Sequence, residues 1–241
     1  MIAWLAPGDP FPPVERSLAQ PNGLLAASGS LDADRLVAAY ERGIFPWYGD
    51  KDPVLWWSPD PRLVLMTDRF IARRSLVRRI RAGLNAGRLE VRIDDDFAAT
   101  MRACAAPRPG QAGTWISAPM ITAYGELQRR ELAHSVEVFD DGRRIGGLYG
   151  VALGRMFFGE SMFSIAPDAS KIALAALVAL LQSEEVPMLD CQQETSHLVS
   201  LGAGAISRAR FSSHVESAVR RFPIDWQRWR TAAVTDLLRL Y

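Results

Sequence analysis

The sequence predicts an α+β fold, and three observations support this prediction. Residues 134–163 contain three apolar runs of strand length, separated by short turns. Residues 169–184 form a longer apolar run in which Leu and Val recur at helical spacing. The strand-like run MLDCQ at 188–192 and a further helical segment come after it. Consecutive strands followed by helix, strand and helix favour a sheet that packs helices on its faces.

The composition is that of a protein with a buried core. The 241 residues are 49% hydrophobic, which suits one large domain or two modest ones. The formal net charge of +1 does not by itself indicate a nucleic-acid partner. Lys51 and Lys171 are the lysines, and the remaining Lys+Arg positions are all arginine. Arginine can bind a phosphate group through two parallel hydrogen bonds.

The sequence indicates a soluble cytoplasmic protein. Cys104 and Cys191 are far apart and lack the paired spacing of a disulfide scaffold or a zinc site, which fits a reducing compartment. Residues 1–13, MIAWLAPGDPFPP, lack the basic start of a signal peptide and reach prolines early. The apolar run IALAALVALL at 172–181 is too short to cross a bilayer. We therefore expect no membrane association.

Residues 1–66 are rich in Pro, Gly and Trp and are predicted to form a small N-terminal domain. A short helix is predicted at about 32–42, followed by a tight break at 43–46. The runs VLWWS (54–58) and RLVLM (62–66) have the composition of short strands.

The second predicted domain, 67–241, begins with an arginine-rich helix at 69–83. Its apolar positions are Phe70, Val77, Ile80 and Leu84, and the arginines of another face are Arg74, Arg78 and Arg81. Charge on a helix usually marks a solvent-exposed face, and a phosphate-binding surface is the alternative.

Capping and turn residues predict the later elements. Asp94–Asp96 can cap a helix that continues through Met101. Ser117 can cap a second helix, with proline in its first turn. HSVEVF and RIGGLYGVAL are predicted to form an antiparallel hairpin, with RMFFGESMF as a third strand. The remaining predicted helices are 169–184, one that starts at a capping box of Ser213 and Glu216, and the tail 226–241.

Two polar insertions interrupt apolar runs of the predicted sheet. Glu160 lies in FGESMFS among aromatic residues, where an unpaired carboxylate is costly to bury. Asp190 and Gln192 lie two apart in MLDCQ, so a regular strand points both side chains to one face. If the two strands are neighbours, the three polar side chains converge. A functional site and a buried structural network both explain such convergence.

Several other catalytic patterns are missing from the sequence. There is no G-x-S-x-G elbow and no Walker A loop, and His134, His197 and His214 have no metal-binding spacing. We expect structural roles for these histidines, with His197 supporting the loop after MLDCQ. Four tryptophans beside Pro or Gly turns suit either an apolar ligand pocket or a plug between two small domains. They are Trp47, Trp56, Trp57 and Trp115.

Ten short motifs resemble the leucyl/phenylalanyl-tRNA–protein transferase family. They are PNGLLA (21–26), GIFPWY (43–48), LWWSPDPR (55–62), GTWIS (113–117), AHSVEV (133–138), GGLYGV (146–151), FGESMFS (158–164), ASKIAL (169–174), DCQ (190–192) and HLVSLGA (197–203). They occur in order through most of the chain, and ten in register are highly specific. The tail beyond about Pro223 is poorly covered.

The resemblance implies a small N-terminal domain and a GNAT-like acyltransferase domain with a mixed β-sheet flanked by helices. It implies an enzyme that transfers Leu or Phe, with Met as a further candidate, from charged tRNA to an N-terminal Arg or Lys of a protein. The product is marked for degradation by the N-end rule. The implied partners are aminoacyl-tRNA and the acceptor protein, and the implied enzyme is a cytoplasmic monomer without metal or cofactor.

The resemblance also implies roles for individual residues. Asp190 and Gln192 match the pair proposed for peptide-bond formation, and Glu160 matches a buried site glutamate, so these are the expected catalytic residues. The expected substrate-binding residues are Trp47, Trp115, Tyr124, Phe157 and Ser161, and the expected tRNA-binding residues are Arg74, Arg78, Arg79 and Arg81. Gln128 and Phe139 stand where the family pattern has His and Trp, and neither belongs to the polar group.

These residues suit transfer from an ester that is already activated, so ATP and metal are not required. An N-terminal amine has a pKa of about 7.7–8.0, so roughly a tenth of it is neutral near neutral pH and a strong base is unnecessary. We expect the Gln192 side-chain oxygen to accept a hydrogen bond from the attacking amine. We expect Asp190 to orient that side-chain amide, and Glu160 to orient the site or the donor's ammonium group.

Two rival functions remain. A coenzyme-A-dependent acyltransferase needs a glycine turn that binds pyrophosphate before the long helix, but SIAPDAS (164–170) has no glycine and contains Asp168. A noncatalytic RNA-binding module needs exposed aromatic platforms and has no use for Asp190 or Gln192.

Overall fold

The computed structural model describes residues 2–49, 51–107, 114–231 and 233–241. The strands are β1 (Ala3–Leu5), β2 (Leu24–Ser28), β3 (Phe45–Pro46), β4 (Val54–Trp57), β5 (Arg62–Met66), β6 (Leu89–Ile93), β7 (Ala133–Asp140), β8 (Arg143–Leu153), β9 (Met156–Ser164), β10 (Met188–Gln192) and β11 (Gly204–Ile206). The α-helices are α1 (Ala33–Tyr40), α2 (Arg74–Asn85), α3 (Phe97–Ala105), α4 (Ala118–Arg129), α5 (Ala169–Ser183), α6 (Ser196–Val199), α7 (Arg208–Ala218), α8 (Trp226–Thr231) and α9 (Val234–Leu237). Short 3-10 helices cover Val14–Arg16, Thr67–Arg69 and Leu238–Leu240.

The N-terminal residues form a four-stranded sheet in the order β1-β2-β4-β3. Helix α1 begins where the sequence predicts it, because the Asp32 carboxylate caps it by accepting a hydrogen bond from the Arg35 backbone N–H at 2.8 Å. Trp56 and Trp57 of β4 are buried in a core that also contains residues of α1 and of the second predicted domain, such as Tyr124 and Phe158. Both tryptophans therefore fill the core, one of the two roles that the sequence left open.

The larger sheet has seven strands in the order β11-β5-β10-β9-β8-β7-β6. The predicted hairpin of β7 and β8 and its third strand, β9, are confirmed as antiparallel neighbours. Strand β10 then pairs with β9 in parallel, so the sheet is mixed and the strands of Glu160 and Asp190 are adjacent. The cores on the two faces are closed by α1, α3, α4 and α7 on one side and by α2, α5, α8 and α9 on the other.

Strand β5 belongs to the larger sheet, whereas the sequence analysis assigned it to the N-terminal domain. It pairs antiparallel with both β10 and β11. Val64 is buried in the core of one face, and Leu63 and Leu65 are buried in the core of the other. The two sheets separate between Trp57 and Arg62, and the domain division at residue 66 stays a prediction.

Most of the predicted helices are confirmed, and three details are wrong. The arginine-rich helix predicted at 69–83 begins at Arg74, so Phe70 lies outside it. The pattern of Ser213 and Glu216 lies inside α7, which begins at Arg208 and is capped by the Ser207 hydroxyl. The tail is broken into α8, α9 and a 3-10 helix, although it buries Trp226 as predicted. Among the described residues, no helix has both the length and the apolar character needed to span a membrane.

Candidate active site

Glu160 is an extra residue in β9 relative to its partner strand β8. Ser161 pairs with Tyr149. Gly159 pairs with the next residue along β8, Gly150, so Glu160 has no partner of its own and forms a β-bulge. A bulge releases a side chain from the alternation of a regular strand, which lets Glu160 lie in an otherwise apolar run without joining either core.

Strand β10 carries a second bulge beside the first. Asp190 pairs with Val64 of β5, while Gln192 pairs with the adjacent residue Leu63, so Cys191 is the extra residue. Gln192 has a φ of 62°, in the left-handed region that non-glycine residues rarely adopt. Asp190 is also the last residue of β10 that pairs with β9. The two strands therefore separate at the point where both are bulged.

The Glu160 carboxyl group is held by neutral hydrogen-bond donors. Its Oε1 accepts from the Tyr40 hydroxyl at 2.6 Å and from Gln192 Nε2 at 2.7 Å. Its Oε2 lies 3.0 Å from the Tyr124 hydroxyl, which lies 2.6 Å from the Tyr40 hydroxyl. Burial raises the pKa of Glu160 to about 8, against the effect of the tyrosine hydrogen bonds.

Asp190 differs because it is paired with a cation. Arg62 donates from Nε to Oδ1 at 2.8 Å and from Nη2 to Oδ2 at 2.6 Å, and both side chains are fully buried. The guanidinium lies between the rings of Phe45 and Phe211, at 4.6 and 4.5 Å from their centroids. This ion pair ties β5 and β10 to the N-terminal sheet and to α7.

The structure corrects the expected role of Asp190 toward the Gln192 amide. Asp190 Oδ1 accepts a hydrogen bond from the Gln192 backbone N–H at 2.9 Å. The side-chain amide of Gln192 donates instead to Glu160. The bulge at Cys191 explains the difference, since it breaks the two-residue alternation on which the prediction depended.

A cavity of about 420 Å³ opens where β9 and β10 separate. Its apolar wall includes Leu148, Phe157, Leu174, Leu177 and Leu189, and its polar side includes Glu160, Ser161, Asp190, Gln192, Thr195 and His197. An apolar cavity with a few converging polar groups is the usual form of a small-molecule site.

The structure brings most of the expected site residues to this cavity. Trp115, Phe157 and Ser161 line it, together with the three expected catalytic residues. Tyr124 lies behind Glu160 and reaches the site only through that carboxyl group. Trp47 does not line this cavity: its side chain is 43% exposed and packs edge-on against Trp57.

The expected tRNA-binding arginines lie on α2. Arg74, Arg78 and Arg81 border one surface depression. Arg79 Nε lies 3.3 Å from Oδ2 of Asp168 at the N-terminus of α5, and Lys171 Nζ lies 2.8 Å from Oδ1 of the same carboxylate. The pKa of His197 is lowered by burial and by the charge of Lys171. Asp168 therefore joins α2 to the first turn of α5, and Lys171 lies close enough to His197 on the cavity wall to affect its pKa.

Sequence reasoning missed Tyr40 and Arg62 as parts of the site. Tyr40 lies at the end of α1, for which the sequence predicted a helix but no role in the site. Its hydrogen bond to Glu160 joins residues that are 120 positions apart in the chain. Arg62 had a usable signal, because an arginine in the apolar run RLVLM requires a buried acid nearby. Among the residues that the structure describes, no group of three or more His, Cys, Asp or Glu is arranged to hold a metal ion.

Comparisons with known proteins give a consistent result. The family model described as leucyl/phenylalanyl-tRNA protein transferase matches residues 64–216, and the model of the N-terminal domain of the same family matches residues 29–60. A leucyl/phenylalanyl-tRNA–protein transferase of Burkholderia ambifaria (strain MC40-6) is 59% identical over 231 residues, covering 94% of this chain and 91% of the relative. One of Paraburkholderia phytofirmans is 56% identical over 236 residues, covering 96% of each. Among solved structures, a GCN5-related N-acetyltransferase-like protein from Streptococcus suis aligns with 72% of this chain and 64% of its own, at a TM-score of 0.33 and 12% identity.

Proposed function

The chain belongs to the leucyl/phenylalanyl-tRNA–protein transferase family, and we propose that the cavity beside Glu160 and Gln192 holds the aminoacyl end of the donor tRNA during transfer. The protein is thus an aminoacyltransferase, which moves an aminoacyl group from tRNA to the N-terminus of a protein. The observation that carries the proposal is the convergence of two bulged strands, with their polar residues, on the rim of an apolar cavity.

The cavity wall suits an apolar side chain of the donor that is not branched at its β-carbon. Phe157, Leu174 and Leu177 supply an apolar surface on which a leucyl, phenylalanyl or methionyl side chain is removed from water. Differences of one methylene group give only about 1–3 kcal/mol of discrimination. Rejection of β-branched Val and Ile therefore depends on the shape of the entrance.

Gln192 is placed to align the attacking amine. Its Nε2 is engaged by Glu160, and within the described part of the chain its side-chain oxygen has no hydrogen-bond donor. That oxygen accepts a hydrogen bond from the neutral N-terminal amine of the acceptor. The amine nitrogen then forms a bond to the ester carbon, the bond from that carbon to the ribose oxygen breaks, and the amine proton moves to that ribose oxygen, which becomes a hydroxyl group. Such alignment contributes of order 7–11 kcal/mol in favourable cases.

Asp190 fixes the backbone from which Gln192 projects. Its negative charge is balanced by Arg62, so its contribution is geometric: it holds the N–H of a residue with positive φ. The donor's own amino group is placed near Glu160 in this proposal. The reaction draws on the ester itself and uses no ATP, metal or other cofactor.

The arginines of α2 are proposed to bind the acceptor stem. Arg74 and Arg78 are exposed and, among the described residues, have no ion-pair partner. Arg79 and Lys171 both pair with Asp168, so the proposed phosphate contacts are those of Arg74 and Arg78. Contacts of this kind bind phosphate without strong sequence preference.

The same end of α5 argues against a coenzyme A site. Asp168 places its carboxylate at the helix N-terminus, where it bonds to Lys171. A pyrophosphate at that position would meet a negative charge. The partners proposed for this chain are therefore aminoacyl-tRNA and a protein with N-terminal Arg or Lys, in the cytoplasm and with the chain acting as a monomer.

A transfer assay tests the proposed function. Radiolabelled Leu-tRNA and acetyl-coenzyme A are offered separately with an Arg-initiated acceptor peptide. We expect label in the peptide only from Leu-tRNA, and a loss of transfer in Gln192→Ala with charged-tRNA binding kept. Labelling from acetyl-coenzyme A, or binding of tRNA without transfer by the unmodified protein, would contradict the proposal. Equal loss of binding and transfer in Gln192→Ala would indicate a collapsed site.

A further inference from the structure

Four oxygen atoms of three residues, the two tyrosine hydroxyls and both carboxyl oxygens of Glu160, form a closed ring behind the cavity. The Tyr40 and Tyr124 hydroxyls are 2.6 Å apart. Tyr40 lies 2.6 Å from Glu160 Oε1, and Tyr124 lies 3.0 Å from Glu160 Oε2. All three separations are within hydrogen-bond distance for O–H···O pairs. Each side of the ring therefore needs a hydrogen atom.

The two tyrosines supply only two hydrogens for the three sides. Each phenol carries one, and burial raises the pKa of both hydroxyls well above the ordinary value, so both stay protonated. A carboxylate at Glu160 has no hydrogen and leaves one side without a donor. A carboxylic acid supplies the third: Tyr40 donates to Oε1, Tyr124 donates to Tyr40, and the acid hydroxyl at Oε2 donates to Tyr124.

We propose that Glu160 is a neutral carboxylic acid in the unliganded protein, and that its ring with Tyr40 and Tyr124 is a positioning device for the Gln192 side chain. In this arrangement Oε1 is the carbonyl oxygen, which accepts from both Tyr40 and Gln192 Nε2. The orientation of the Gln192 amide is thereby fixed by residues from α1, α4 and β9.

Among the charged groups near Glu160, Asp190 raises its pKa and Arg62 lowers it, and burial is the larger effect. Tyr40 of α1, Tyr124 of α4 and Tyr149 of β8 face it as neutral phenols, each with a raised pKa. Asp190 of β10 disfavours a second negative charge nearby. Arg62 of β5 is the neighbouring cation, and its charge is balanced by its ion pair with Asp190. Burial itself raises the pKa of the Glu160 acid to about 8.

A spectroscopic measurement tests the protonation state without any assay of function. Isotope-edited infrared spectra of the full chain with labelled glutamate are recorded at about pH 6 to about pH 9, and Glu160→Gln identifies the band. We expect a carboxylic-acid carbonyl band that persists at neutral pH and is lost near the pKa of about 8. If the band that is absent from Glu160→Gln is already a carboxylate band at about pH 6, the proposal is overturned. If the Gln variant fails to fold, Tyr40→Phe gives the assignment instead, because loss of its hydrogen bond shifts the Glu160 transition to higher pH.

The positioning role rests on the proposed function and has its own readout. In Tyr40→Phe we expect kcat to fall roughly five- to tenfold, about the value of one hydrogen bond, with KM for Leu-tRNA kept within about twofold. The matched control is Thr100→Val, which removes a hydroxyl donor 2.9 Å from the buried Glu137 and away from the cavity wall. An unchanged kcat in Tyr40→Phe, or an equal fall in both variants, would overturn the role. If the protein shows the carbonyl band of a neutral Glu160 acid but transfers no leucine, the proposed protonation state stands and the proposed function fails.

Discussion

Glu160 and Glu137 are two buried acids in neighbouring parts of one sheet, and only one of them reaches a cavity. Both interrupt apolar strands, in FGESMFS and in HSVEVF. Glu137 accepts from Ser135 Oγ at 2.6 Å and from Thr100 Oγ1 at 2.9 Å, so it ties β7 to α3. Burial raises its pKa to about 7, as burial raises that of Glu160 to about 8.

Burial and a raised pKa therefore do not by themselves identify a residue of a functional site. Both glutamates are held by neutral donors in a strand that needs no charge. Glu137 is fully enclosed, with no exposed surface, whereas Glu160 sits on a bulge and lines a cavity of about 420 Å³. The cavity and the contact with Gln192 distinguish Glu160 from a carboxyl group that only joins two elements of the fold.

The largest expected effect concerns Asp190, another buried acid. Asp190 forms an ion pair with Arg62, whereas the two glutamates are held by neutral donors. Arg62→Leu leaves the Asp190 carboxylate buried without its partner. We expect the free energy of unfolding, measured by urea denaturation, to fall by about 3–5 kcal/mol. The double variant with Asp190→Leu should recover much of that loss. A single-variant loss below about 1 kcal/mol would show that the pair is not an essential tie.

The next effect separates the two glutamate regions by activity. Gln192→Ala removes the oxygen that aligns the amine, and we expect the single-turnover transfer rate to fall about 100-fold. The dissociation constant for Leu-tRNA should stay within about twofold. Glu137→Gln is the matched control and should transfer at the normal rate. A control that loses as much activity as Gln192→Ala would erase the distinction between the two regions.

A smaller expected effect is a difference between Glu137 and Glu160 in how each makes the stability of the folded protein depend on pH. Both glutamates have folded-state pKa values above the ordinary value of 4.5, so the folded state binds more protons and stability falls as pH rises. Each contributes a slope of up to about 1.4 kcal/mol per pH unit. This slope ends near pH 7 for Glu137 and near pH 8 for Glu160.

The window between those two values distinguishes the variants. Glu160→Gln should remove the fall in stability between about pH 7 and about pH 8, and Glu137→Gln should leave that fall in place. Chemical denaturation at closely spaced pH values measures both. Equal slopes in the unmodified protein and in Glu160→Gln over this window would contradict the difference in pKa.

The smallest expected effect tests whether the arginines of α2 contribute to binding of the donor tRNA. Replacing Arg74 and Arg78 with Ala should weaken Leu-tRNA binding and reduce the slope of log K against log salt by up to about one for each arginine. Arg220 is the control, because it is exposed and paired with Glu216. An unchanged salt slope would leave the arginines of α2 as an ordinary solvent-exposed face.

Local patterns predicted most of the fold, because periodicity, caps and turns are encoded within a few residues. The hairpin of β7 and β8 and helix α5 follow from such patterns, whereas the sequence left open whether the strands that carry Glu160 and Asp190 are neighbours. The capping box at Ser213 failed since the same letters also fit the interior of α7.

The site was predicted only in part, for a physical reason. The convergence of Glu160, Asp190 and Gln192 was predicted only on the condition that their strands are neighbours, and the two bulges that orient them depend on tertiary packing. Tyr40 reaches the site through a contact 120 residues away in the chain. Glu137 carried the same local signal as Glu160 and was not singled out, which shows that the signal alone does not identify a site.

The most direct test of the account is the infrared response of the two glutamates to one ligand. A stable leucyl-adenosine amide, which mimics the end of the donor, is added at about pH 6, where both acids are protonated. We expect the carbonyl band of Glu160 to shift while that of Glu137 stays unchanged. A shift confined to Glu137, or no shift in either band at a saturating concentration, would contradict the placement of the donor in this cavity.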